Sequence, residues 1–313
     1  MQLDRPNRKP FNLVPLSVSC ALFALFACNR ANDTAEDASP ATGSLTFAVM
    51  GDVPYGLSQA EVDKEKIILR RQIERLNSNS EIAFLSHVGD IKKGAMPCDA
   101  KTYSDVAEIL KTSVHPVFII PGDNEWNDCP NPPEAWAHWE RSFLRFDENW
   151  PSAFEVDRQP ARDENYSFLL DDVLFVGLNL VGGKVHDWEE WNTRIEDDRT
   201  WLRDQFQRHS KSAKAAVIFA HANPGALEDG EFSFTKHAFR PLIEYLDTTT
   251  QTDFPKPILL IHGDGHKWIE DHPFPNAGQR ITRIQVTQGG LESPLQVEVR
   301  TNGEQTFTLI RSK

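Results

Sequence analysis

The sequence predicts an α/β fold, a single domain built as two packed sheets with helices outside. Three observations carry this expectation. Five short apolar runs, Leu45 to Met50, Ile82 to Leu85, Val117 to Ile120, Ala215 to Ala220 and Ile258 to Ile261, read as strands buried on both faces. Helical stretches alternate with the first three, which is the strand–helix order of a doubly wound sheet. A tail from Ile281 to Ile310 alternates as short strands, with Gly turns at Gln288-Gly289-Gly290 and Asn302-Gly303.

Before the fold comes a leader. Arg5, Arg8 and Lys9 form a basic start, and Phe11 to Ala27 is largely apolar. That is a secretory signal pattern, short for a membrane-spanning helix. It ends in Leu25-Phe26-Ala27-Cys28, which resembles a bacterial lipobox. The resemblance implies cleavage before Cys28 and a diacylglyceryl anchor on its thiol. A plain signal peptide cut after Ala27 is the other reading. Residues 1–28 are therefore expected to be a signal with lipobox, and residues 29–43, polar and small, a flexible tether. Together they predict a periplasm-facing lipoprotein of the bacterial cell envelope, held to the membrane by its lipid. Asn29 is not the aspartate of inner-membrane retention, so the outer membrane is favoured.

The domain is expected over residues 44–313. After the first strand, Ser58 to Leu76 carries Val62, Ile67, Ile68, Ile73 and Leu76 as an apolar stripe among charges and predicts a helix. Helices are also predicted over Tyr103 to Leu110, Glu134 to Phe146, Trp188 to Gln207 and Lys236 to Leu246. Asn149 to Glu164, with Pro151 and Pro160, reads as irregular. Tyr166 to Leu170 and Val173 to Leu178 read as a hairpin around Asp171-Asp172 that enters a second sheet.

Composition bounds the partners. Hydrophobic residues are 40% and charged residues 25%, ordinary for a globular protein. The net charge of −13 argues against a nucleic-acid backbone as partner, because phosphate binding needs basic patches. Of 4 cysteines, Cys20 lies in the signal and Cys28 is the lipid candidate. Cys98 and Cys129 remain, an even pair for an oxidising compartment. Each follows an acidic strand-end motif. If those motifs share a site, their loops are neighbours and a Cys98–Cys129 disulfide would brace the rim. Two free thiols are the alternative.

The five apolar runs end in metal-ligand chemistry. The stretches are Gly51-Asp52, His87-Val88-Gly89-Asp90, Pro121-Gly122-Asp123-Asn124-Glu125, His221 and His262-Gly263-Asp264-Gly265-His266. Ligands delivered from the carboxyl ends of several strands gather at one sheet edge, where open α/β folds keep their sites. Taken singly, each Asp is also ordinary turn chemistry and each His an ordinary buried histidine. His87 and His262 read as supporting or core residues, Lys92 and Lys93 as a solvated charged turn, and Trp188, Trp191 and Trp201 as packing. His186 and His237 read as surface or core histidines.

The order Asp, Gly-Asp, Pro-Gly-ligand, Val-x-x-x-His and Gly-x-x-His resembles the calcineurin-like metallophosphoesterase superfamily, which includes the purple acid phosphatases. The resemblance covers most of residues 44 to 311. It implies a four-layer αββα sandwich of two mixed sheets flanked by helices. It also implies two metals bridged by an Asp and a hydroxide, and hydrolysis of phosphate esters by that hydroxide. Carried over by position, Asp52, Asp90, Asp123, His221, Asp264 and His266 are the metal ligands, with Asp90 as the bridge. The chain departs from the pattern in places. Pro54 stands where many members have a His ligand, and the purple acid phosphatase Tyr is absent from Gly89-Asp90-Ile91-Lys92-Lys93, with Tyr55 a nearby candidate. Asp123 replaces the ligand Asn, Asn124 replaces the His that assists the leaving group, and Asp264 replaces a His. A one-residue shift would make Asn124 the ligand. Four carboxylates put about −4 of charge against about +4 from two divalent ions, which favours Mn, Fe(III) or Mg over Zn. Loss of the assisting His removes a contact that contributes about 10²–10⁴-fold where proton transfer is its role. Asn124 can donate a hydrogen bond there but not a proton.

These readings predict a secreted metal-dependent phosphoesterase acting on a small phosphorylated substrate. Two alternatives compete: a degenerate binding protein holding one metal or none, and an envelope interaction protein in which the anchor matters more than the cleft.

Overall fold

Strands that are apolar on both faces need cover on both sides, and the chain supplies it with a second sheet on one side and helices on the other. The computed structural model describes residues 44–151, 154–160, 162–224, 238–303 and 305–311. The expected signal and tether, with Cys28, and Lys236 and His237 lie outside the described residues.

The first sheet runs β12-β11-β1-β2-β3. Its parallel centre is β1 (Ser44–Met50), β2 (Ile82–His87) and β3 (Val117–Ile119); β11 (Leu295–Arg300) and β12 (Phe307–Ile310) add antiparallel. The second runs β4-β5-β6-β7-β8-β10-β9. Here β6 (Val173–Gly177), β7 (Ala215–Ala220), β8 (Ile258–His262) and β10 (Ile281–Gln285) are parallel. The margins β4 (Asp157–Gln159), β5 (Arg162–Leu170) and β9 (Ile269–Asp271) are antiparallel. The β5–β6 hairpin turns at Asp171 and Asp172, with φ of 48° and 62°, the left-handed pair of a type I′ turn.

Alternation along each strand sorts the core into three layers. Phe47, Phe84, Phe118, Phe168, Phe175 and Phe219 point between the sheets and form one aromatic cluster, with Phe47 and Phe84 stacked at 5.2 Å. Ala48, Met50 and Leu85 point the other way, onto α1 (Gln59–Asn77), α2 (Ala100–Leu110) and α3 (Pro132–Phe143). Ala216, Ile218 and Leu260 face α4 (Trp188–His209) and α5 (Arg240–Glu244). The fold is thus an αββα sandwich of two mixed sheets. Ser58 starts α1 with a full capping box, its side chain accepting from Glu61 while the Glu61 carboxylate returns to the Ser58 amide. Beyond α5 the chain continues through a π-helical turn, Tyr245–Thr249, into α6 (Thr250–Asp253). No helix among the described residues is long and apolar enough to cross a membrane.

Candidate metal centre

The two sheets meet at their carboxyl ends. The Asp52 amide donates to Gly89 O at 3.0 Å, which ties the ends of β1 and β2, and the Gly263 amide donates to His221 O at 3.1 Å, which ties β8 to β7. His221 crosses between the sheets. Its Nδ1 lies 2.7 Å from Val88 O, and a carbonyl can only accept, so Nδ1 carries the proton. That fixes the ring and presents Nε2 to the site, the usual outer hydrogen bond of a ligating histidine.

The backbone delivers the acids from strained positions. Asp52, Asp90, Asp264 and His266 all have left-handed φ, at 53°, 59°, 70° and 61°. Asp and His are among the few side chains that tolerate this region, and such residues cluster at functional sites.

Five of the six expected ligands converge into two groups. Asp52, Asp90 and His266 form one, and Asp90, Asp123 and His221 the other; within each, the candidate atoms lie within 4.8 Å of one another. Asp90 belongs to both. His221 Nε2 is 3.3 Å from Asp90 Oδ1 and 3.0 Å from Asp123 Oδ1, and His266 Nε2 is 3.3 Å from Asp52 Oδ1. Asp264 is half-buried and belongs to neither group, although the charges of His221, Asp123 and Asp52 act on it.

The residues present fit a cation. Asp52 is fully buried, and among the described residues neither of its carboxylate oxygens has a hydrogen-bond partner. A buried charge without donors is costly unless it is paired or holds a metal. Burial pushes the Asp90 carboxyl well up. Burial would lower His221, but Asp90 and Asp123 prevail and raise it well above the ordinary histidine value. Asp123 goes the other way, its desolvation outweighed by His221, and stays low. The chain itself thus calls for positive charge between Asp90 and Asp123. Oxygen and imidazole donors without thiolate suit Mn, Fe, Zn or Mg.

The third loop supports Asp90 from beneath. Glu125 is fully buried and its carboxylate accepts from the amides of Asp90 (3.1 Å), Ile91 (3.2 Å) and Gly122 (2.6 Å). Asn124 caps the same acid: its backbone amide donates to Asp90 Oδ1 at 3.1 Å and its side-chain amide to Asp90 Oδ2. The same nitrogen donates to the Tyr55 hydroxyl at 2.7 Å. Asn124 Oδ1 faces Gly94, 2.5 Å from where a Cβ there would stand. So Asp123, not Asn124, presents a donor to the metal groups. Asn124, expected to face the leaving group, directs its side-chain N–H groups to Asp90 and Tyr55.

Other residues surround these acids, some expected from the sequence and some not. Glu125 ends a strand-end motif but received no role. Tyr55 sits edge-on to His266, ring centroids 4.6 Å apart, and burial followed by the Asp90 charge pushes its phenol up. Lys93 reaches over the Tyr55 ring, its Nζ 5.3 Å from the centroid. Lys92 was expected to be solvated and is 2% exposed, because Glu125 draws the loop inward and Lys92 Nζ turns back to Lys93 O. His87 and His262 are fully buried beside the site, with Nε2 on Val53 O and Nδ1 on Gly263 O; burial lowers them to about 4 and about 3. Cys98 and Cys129 are joined, their Cα atoms 6.1 Å apart, at the rim of the same loops.

No protein-family model matches the sequence, and no curated protein matches it. Solved structures do. The anchor in the inner membrane complex of Plasmodium shares the fold over 86% of this chain and 88% of its own, with a TM-score of 0.50 and 11% identity. A purple acid phosphatase isolated from yellow lupin (Lupinus luteus) seeds matches over 86% of this chain and 54% of its own, with a TM-score of 0.51 and 12% identity. This chain therefore spans about half the length of the lupin enzyme. At such identity the likeness speaks of architecture alone, and that architecture is the αββα sandwich described above.

Proposed function

We propose that the protein is a secreted phosphoesterase that holds two metal ions, with Asp90 shared between them. The observation that carries this is the pair of ligand groups meeting at one carboxylate. Asp52 and His266 complete one group, Asp123 and His221 the other. Bound there, the ions supply Lewis-acid polarisation of a phosphoryl group and a nucleophile at neutral pH. Asn124 and Glu125 hold the Asp90 loop in place. Lys93 adds a cation at the edge of the site, beside Tyr55, where it can meet a phosphate. Export and a lipid anchor at Cys28 belong to the same proposal, and the Cys98–Cys129 bridge fits an oxidising compartment.

The deciding experiment is metal stoichiometry on protein purified without chelator, with turnover of an aryl phosphate on the same sample. Near two ions per chain with turnover is expected. One ion or none, without turnover, would establish a second reading, a binding protein that keeps the fold. Two observations favour that second reading: Asp264 stands outside both groups, and one structural neighbour is named as an anchor.

A further inference from the structure

A cavity of about 650 Å³ opens along the loop that follows Asp123, lined from Trp126 onward, a volume that suits a drug-sized organic group. Trp126, Trp136 and Trp191 give it aromatic walls. These come from three segments: the loop after β3, α3 and α4. Trp126 and Trp136 pack with centroids 4.5 Å apart. Behind them the fully buried Arg194 guanidinium lies 5.0 Å from the Trp126 ring and 4.8 Å from the Trp191 ring. The walls are therefore set before anything binds, which spares a ligand the cost of ordering them.

The cavity and the metal centre share a loop. Asp123 is a candidate ligand, and its carbonyl accepts from the amides of Trp126 (3.1 Å) and Asp128 (2.9 Å), so the same tight turn aims the ligand and the cavity wall. The opposite bank is equally continuous. Asn127 donates to Gly182 O at 2.8 Å, His186 Nε2 donates to Asn127 O at 2.6 Å, and the Lys184 amide donates to Asp128 at 3.1 Å. Between them Gly183 runs past Asp123 with no side chain. A Cβ there would stand 2.8 Å from Asp123 Cβ and 3.1 Å from its Oδ2.

Charge narrows the occupant. Carboxylates outnumber basic side chains in the lining, with Glu140, Asp187 and Glu190 among them against Arg162 and Lys184. Arg162 is itself engaged by Asp197 at 2.6 Å. A second phosphate or a sugar acid is disfavoured there, and a flat apolar group gains both burial and ring contact.

We infer that the cavity receives the leaving alcohol of the phosphoester, and that this alcohol is large, flat and uncharged. The inference rests on the phosphoesterase reading and extends it to a substrate class. Two measurements on the full chain separate them. The first compares kcat/KM for 1-naphthyl phosphate and phenyl phosphate on metal-loaded protein; their leaving groups are of similar acidity, so the ratio reads the second ring. The second is calorimetric titration of 1-naphthol, which needs no chemistry, into metal-free protein. The naphthyl ester should be favoured by about tenfold, equivalent to ~1.4 kcal/mol. Naphthol should bind saturably, and both effects should shrink severalfold in Trp136→Ala. Glu140→Lys, at an exposed rim position, should leave naphthol bound and improve binding of a naphthol sulfonate severalfold. Equal kcat/KM for the two esters with no naphthol binding would overturn the inference and leave catalysis standing. Naphthol binding without turnover of either ester would overturn the phosphoesterase reading and retain the cavity as a site for flat alcohols.

Discussion

Two buried polar clusters sit on this scaffold and solve the problem of buried charge in opposite ways. Beneath α4, Glu164, Asn165, Asn179, Arg194 and Asp198 are all buried. Asn165 donates to Gln159 and to Asp198, each at 2.7 Å, Asn179 donates to Glu164 at 2.9 Å, and Arg194 donates to Asn179 O at 3.0 Å. Cations and anions are both supplied by the chain. Where the network leaves Asp198 Oδ2 over, burial pushes that carboxyl to about 7, so a proton makes good the deficit. At the strand ends, Asp52, Asp90 and Asp123 crowd together with two imidazoles and no nearby Arg in their groups. The first cluster closes on itself and serves the fold. The second is short of positive charge, as a site built for an external cation must be.

The contrast can be broken by substitution. Asp90→Asn keeps shape and removes the shared charge. It should cost at least half of the bound metal and about 10³-fold or more in phosphoesterase turnover, larger than the loss from removing a single catalytic donor. Unchanged metal content, measured on purified protein, would end the bridging role. Arg194→Met strips the self-contained cluster of its cation. Breaking a buried ionic network typically costs about 3–5 kcal/mol, read by urea unfolding, with metal content per folded chain unchanged.

Asp198 gives a pH signature. Its folded value of about 7 lies above the ordinary aspartate value, so the folded state holds the proton longer. Its contribution to stability is full below about pH 4, falls as pH rises toward 7, and is flat above. Between pH 5 and pH 8 the wild type should therefore lose about 1–3 kcal/mol more than Asp198→Asn. Parallel stability–pH curves for the two proteins would refute the assignment. The smallest effect is expected at Asp52. In metal-free protein Asp52→Asn removes a buried charge that accepts no hydrogen bond and has only His266 Nε2, at 3.3 Å, beside it; it should stabilise the fold by about 1 kcal/mol, while weakening metal binding. Destabilisation of the metal-free variant would mean that Asp52 is already satisfied.

Much of this was legible in the sequence because the same runs carry both messages. Val49-Met50-Gly51-Asp52 announces a buried strand and a candidate ligand together, and so do Val217 to His221. Short marginal strands carried no such pattern. Asp157-Arg158-Gln159 and Ile269-Glu270-Asp271 are three residues each at the flanks of the second sheet, and only their neighbours make them strands. The predicted helix to Phe146 stops at Phe143, because Arg145 takes a left-handed φ of 54° and Phe146–Asn149 forms a separate turn. What Asn124, Glu125 and Lys92 do depends on where one loop meets another, and no spacing records that. The same holds for the cavity, whose tryptophans come from three different segments.

The left-handed backbone at Asp52, Asp90, Asp264 and His266 has a consequence for how such a site drifts. At these angles the polypeptide itself admits few residues besides Gly, Asn, Asp and His. Three of those four are metal donors. Random substitution filtered by the backbone therefore returns donors more often than chance would. Asp264, standing where the resemblance places a His, needs no rebuilding of its loop to make that exchange. The side chain at this edge can change cheaply while the backbone that presents it stays put, so a lineage can exchange candidate donors long before it loses the scaffold that carries them.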